Sequence, residues 1–109
     1  MTLDVQGMNY SIRIAELVRY MHENEPLFPL CDRLLACGIQ AGLASREWKQ
    51  NHNKKNAEHI SDYTVEADYI IEMAITAGYI TQQQGVHIRS DGQTLIETAM
   101  FAAANGSQA

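Results

Sequence analysis

No stretch of this chain approaches the roughly 20 consecutive apolar residues that span a bilayer, so no membrane-crossing helix and no membrane partner is expected. Cysteine is scarce: only Cys31 and Cys37 occur. A separation of six on a helix turns their side chains about 120° apart, which argues against a bridge within one helix. Neither belongs to a Cys-x-x-Cys pair, and His22, His52, His59 and His87 have no partner four residues away, so no metal site is expected. A nucleophile elbow, a phosphate-cradling glycine loop and paired catalytic motifs are missing as well. The expectation is a protein that is not an enzyme, with no catalytic residues and no cofactor. Positive charge is short. Eight Lys and Arg against thirteen Asp and Glu leave a formal net charge of −5, which weighs against nucleic-acid binding over the whole surface. Met1-Thr2-Leu3-Asp4 lacks the basic start and apolar core of a secretory signal. With two reduced thiols inside an apolar pattern, this predicts a cytoplasmic protein.

What is present suits one globular domain: 109 residues, 46% of them hydrophobic and 19% charged. Residues 1–8 read as a flexible lead-in, 9–104 as the folded domain and 105–109 as a disordered tail. Tyr10, Ile14, Leu17, Val18 and Met21 form one helical stripe, capped by Asn9 and stopped at Glu25-Pro26. A second helix is expected over 27–43, with Pro29 in its first turn and Leu27, Leu30, Leu34, Leu35 and Ile39 apolar. Gly38, Ala41 and Gly42 there permit another helix to approach closely, either within the domain or as a homodimer seam. Ser45 caps a short third helix, and 51–56 is the most polar stretch and the expected loop. Residues 57–62 add a helical turn. Thr64–Ala77 is the fourth helix, with Val65, Tyr69, Ile70, Met73, Ala74 and Ala77 inward and Gly78 as its stop.

After Gly78 the pattern changes. Tyr79-Ile80 has a strand signal, Gln82-Gln83-Gln84 and Gly85 make a tip, and Val86-His87-Ile88-Arg89 alternates with period two. Ser90 or Asp91 then caps a last helix with Leu95, Ile96, Ala99, Met100 and Ala103 inward. This order over residues 57–97 resembles the winged helix-turn-helix family: Thr64-Val65 opens a recognition-type helix, Gly78-Tyr79-Ile80 ends it, and Ile80–Arg89 makes the wing. The fold class this implies is mainly α, a small helical domain with one β-hairpin, its winged-helix-like part spanning 57–104.

The resemblance implies contact between the helix from Thr64 and DNA, yet that helix carries Glu66, Asp68 and Glu72 and no Lys or Arg. Carboxylates facing phosphates oppose binding. The leading expectation is therefore a non-enzymatic protein–protein interaction module: a regulator, adaptor or inhibitor, of the compact phage or mobile-element type among others. It would bind its partner through Glu66, Asp68, Glu72 and the lone Trp48. The alternative is a homodimeric DNA-binding transcriptional regulator of the winged-helix type. It would use Arg46, Lys49, Lys54 and Lys55 together with His87 and Arg89 of the wing. Each feature also has a structural reading: Trp48 packed on the core, the basic residues solvated, and the ribbon's polar side simply wet.

Overall fold

The structure, a computed structural model, describes residues 1–105. Within them the chain forms four helices: α1 (Leu3–His22), α2 (Cys31–Asn51), α3 (Lys54–Thr76) and α4 (Gln82–Asn105). Links at 23–30, 52–53 and 77–81 are too short to cross the bundle, so successive helices run antiparallel. α1 packs on α2, α2 on α3, α3 on α4, and α4 returns more sparsely to α1, closing an up-down-up-down bundle 44 × 20 × 19 Å.

The expected hairpin and winged-helix arrangement are overturned. Among the described residues there is no strand, and Gln82–Arg89 is the opening of α4. Two local devices explain this. Gly78 ends α3 with φ +86°, and Tyr79 N donates to the Ala74 carbonyl at 2.9 Å, the geometry of a glycine stop. Thr81 and Gln84 then cap α4 reciprocally: Gln84 N donates to Thr81 Oγ1 at 3.1 Å, and Thr81 N donates to Gln84 Oε1 at 2.8 Å. The glutamines begin a helix instead of crowning a turn. Ile88 is buried while Val86 is exposed, as helical spacing requires; period-two pairing would have sent both to one side.

Other boundaries differ too. α1 starts at Leu3, whose side chain is buried, within the stretch read as lead-in. The segment 45–51 continues α2, and the polar stretch 51–56 shrinks to a turn at His52-Asn53. His52 adopts a left-handed φ of 50°, and the Asn53 side chain accepts from Lys55 N to cap α3. Residues 54–62 are continuous with the helix expected from Thr64. Of the expected tail, Asn105 closes α4 and 106–109 lie outside the described residues.

Small residues bring α1 and α2 together. A Cβ on Gly7 would fall 2.0 Å from Ser45 Oγ and 3.4 Å from the Gly42 Cα. One on Gly42 would fall 2.2 Å from Ser11 Oγ, and one on Gly38 would fall 2.7–2.8 Å from Ile14 Cγ2 and Cβ. Ser11 Oγ donates across the seam to the Gly38 carbonyl at 2.7 Å. The candidate dimer seam of Gly38, Ala41 and Gly42 is thus occupied by the chain's own α1, and Ala41 is fully buried. Gly38→Ala gains about 1 kcal/mol of helix propensity but drives a methyl into the branched base of Ile14. Overpacking of this kind costs about 1–3 kcal/mol. Urea unfolding should therefore show Gly38→Ala less stable than the parent; equal or greater stability would contradict so tight a seam.

Candidate interaction surfaces

Three carboxylates of α3, Glu66, Asp68 and Glu72, are not free. Glu66 is gripped by both arms of Arg33 from α2, with Nη2 donating to Oε1 at 2.7 Å. Asp68 receives a two-pronged contact from Arg89 of α4, 2.8 Å at Nε and 3.0 Å at Nη2, and Glu72 lies 3.4 Å from the same guanidinium. The Arg33 hydrogen bonds hold the Glu66 carboxyl below the usual carboxylate range, and Asp68 raises the Arg89 guanidinium further. These pairs tie α3 to its two neighbours.

Trp48 does not offer an exposed ring. It is 2% exposed and stands edge-to-face on His52, with ring centroids 4.4 Å apart. Cys31 and Cys37 are buried, and burial pushes the Cys37 thiol up to about 11. Among the described residues no group of three or more His, Cys, Asp or Glu converges as metal ligands, and no helix is long and apolar enough to cross a membrane.

The basic residues divide between the two ends of the bundle. Arg46, Lys49, Lys54 and Lys55 flank the α2–α3 turn. Lys49 pairs with Asp4 at 3.2 Å, whereas Arg46, Lys54 and Lys55 make no ion pair among the described residues. His87 and Arg89 belong to the first turns of α4, and Arg89 meets Asp68, about 21 Å along α3 from Lys54 at 1.5 Å per residue. Arg89 is moreover already engaged by two carboxylates. The two groups do not merge into one cationic strip.

Periodicity placed several large apolar side chains on the wrong side. α3 buries Ala57, Ile60, Thr64, Ala67, Ile70, Ile71 and Ala74. Val65, Tyr69 and Met73, expected inward, are 55%, 64% and 39% exposed. Ile39 and Met100 are likewise exposed, Ile12 of α1 faces outward, and Val5 and Met8 of α1 face outward beside Ile39 and Leu43 of α2. The signal was available as a competing stripe of alanines: facing alanines let helices close up, and a bundle closes best where its side chains are small.

Comparison with solved structures agrees with the architecture. A Bacteroides thetaiotaomicron protein of unknown function, described as belonging to an S23 ribosomal protein family, superposes with a TM-score of 0.86 at 19% identity, covering 94% of this chain and 98% of its own. At that identity the likeness shows the fold alone. No protein-family model and no curated protein matches the sequence.

The Arg33–Glu66 pair has a definite pH signature. Because the folded pKa of Glu66 lies below its ordinary 4.5, its stabilisation is complete above that value and is lost as pH falls through the lowered folded one. Glu66→Gln should be slightly less stable than the parent at neutral pH, the difference closing on acidification below about pH 4.5. A difference that stays constant down to acid unfolding would contradict a charged pair.

Proposed function

We propose that this chain is a non-enzymatic protein-binding module, a helical adaptor or regulator whose outer helix faces receive another protein chain. One observation carries the reading. The α1–α2 crossing bears Val5, Met8, Ile39 and Leu43 side by side on its outer surface, around an open groove of about 430 Å³ that Gly42 also lines. The core is complete without them, since its buried cluster draws on the opposite faces of both helices. Scattered exposed apolar residues are ordinary on a monomer, but a contiguous group of this kind marks an interaction surface. Arg46 and Asp4 at the groove's edge give it a polar rim.

A nucleic-acid-binding bundle is the second reading. It is favoured by Arg46, Lys54 and Lys55 at one end, free of ion pairs among the described residues, and by the ribosomal family description of the Bacteroides protein. Three such cations would supply little counterion release against a net charge of −5.

Affinity capture with the full chain separates the two. Met8→Glu with Ile39→Glu should abolish retention of a protein partner, a second copy of the chain included, while stability stays within about 0.5 kcal/mol of the parent, as surface changes do. Retention unaffected by the pair would contradict the α1–α2 face. Binding of duplex DNA or RNA that falls steeply with salt and is lost in Lys54→Ala with Lys55→Ala would establish the second reading instead.

A further inference from the structure

We propose that the outward face of α3 is a docking site for a cationic amphipathic helix of another protein. This presupposes the protein-binding reading and adds to it a second surface and the chemistry of its occupant. Val65, Tyr69 and Met73 recur every four residues, one per turn, on the side of α3 opposite its buried residues. Tyr69, the most exposed of the three, has a rigid ring and a hydroxyl, the combination enriched at the centres of protein interfaces. Three turns of one-per-turn apolar anchors match the spacing by which an amphipathic helix lies along another.

Charge selects the partner. From residue 58 to 72, α3 carries five carboxylates (Glu58, Asp62, Glu66, Asp68 and Glu72), and among the described residues only the guanidiniums of Arg33 and Arg89 pair with them. Glu58 and Asp62 are exposed and make no ion pair among the described residues; they continue the line of the apolar stripe toward the N-terminus of α3. Arg33 and Arg89 lie one on each side of the stripe, holding Glu66 and Glu72 along its edges. A lysine- or arginine-flanked apolar helix meets its counter-charges over this span, whereas an acidic helix or a nucleic acid is repelled. Lys54 and Lys55 stand one turn before Glu58, at the N-terminal start of α3. They limit the cationic partner to the stretch from Glu58 onward and disfavour a longer polycation.

The test uses a fluorescein-labelled synthetic helix of leucine and lysine of about 18 residues, long enough at 1.5 Å per residue to span the stripe. Its controls are the same composition scrambled to remove the apolar face and a leucine–glutamate helix. Anisotropy titration against the full chain should show saturable binding of the amphipathic cation, about tenfold tighter than the scrambled peptide. Val65→Gln with Tyr69→Gln, which removes the apolar anchors without adding charge, and separately Glu58→Lys with Asp62→Lys, should each weaken it by about tenfold. Tyr69→Gln gives a second, milder truncation of the apolar anchor, and circular dichroism confirms that each variant folds. Gln93→Ala, an exposed position on α4, should leave the affinity unchanged. Equal binding of the scrambled peptide, indifference to both α3 variants, or no saturable binding would overturn the proposal. Because partner capture reads the α1–α2 face and the peptide titration reads α3, absence of peptide docking with partner capture intact removes the α3 site and leaves the protein-binding reading standing.

Discussion

The close approach of α1 and α2 conditions the rest of the molecule. Gly7, Gly38 and Gly42 leave no room for a Cβ against Ser45, Ile14 and Ser11. Ser11 turns that proximity into a hydrogen bond across the seam, on the Gly38 carbonyl, while the Ser45 hydroxyl is satisfied within α2 by the Gly42 carbonyl. Each glycine costs helix propensity, and dense contact between two long helices offsets it. Small residues continue the theme elsewhere: Ala44, Ala57, Ala67, Ala74, Ala99 and Ala102 are buried across α2, α3 and α4. A core filled this way leaves large apolar side chains over, and they appear on the outer faces of α1, α2 and α3.

Charge does a different job. The carboxylates of α3, read along the sequence as a surface for a partner, serve largely to fasten neighbouring helices through Arg33 and Arg89. Exposed pairs contribute modestly to stability, but paired geometry on both sides of α3 favours one register of the bundle. The sparser α1–α4 seam is held in the same manner, by Arg13–Asp91 at 2.8 Å and by Gln84 Nε2 donating to the Tyr20 hydroxyl at 2.6 Å. What remains uncompensated, Glu58 and Asp62 beside an apolar stripe, is what distinguishes a binding face from a structural one.

Much of this was legible in the sequence, and the failures have physical causes. The stripe Tyr10-Ile14-Leu17-Val18-Met21 is buried on α1, and Gly78 stops α3. The hairpin arose from a four-residue alternation at Val86–Arg89, too short to outweigh the spacing Gly85, Ile88, Gly92, Leu95, Ala99, Ala102 that α4 buries. Thr81-Gln82-Gln83-Gln84 carries the pattern of a reciprocal helix cap, which its glutamine-rich, turn-like composition masks. On α3 the expected inward residues Ile70 and Ala74 are buried, whereas Val65, Tyr69 and Met73 are not, because packing two helices closely favours the alanine-bearing side. Trp48 was ambiguous for a similar reason: a lone aromatic next to lysines fits a surface anchor or a core residue, and only burial decides.

The central claim is that the glycine seam joins two helices of the same chain, so that contacts with any other protein use the outward faces. Nuclear Overhauser effects in a mixed sample of isotopically labelled and unlabelled protein test it directly. Contacts between Ile14 and Gly38 and between Ser11 and Gly42 should appear as intramolecular signals and persist on dilution. Their appearance only in the filtered experiment that selects contacts between chains would contradict the account.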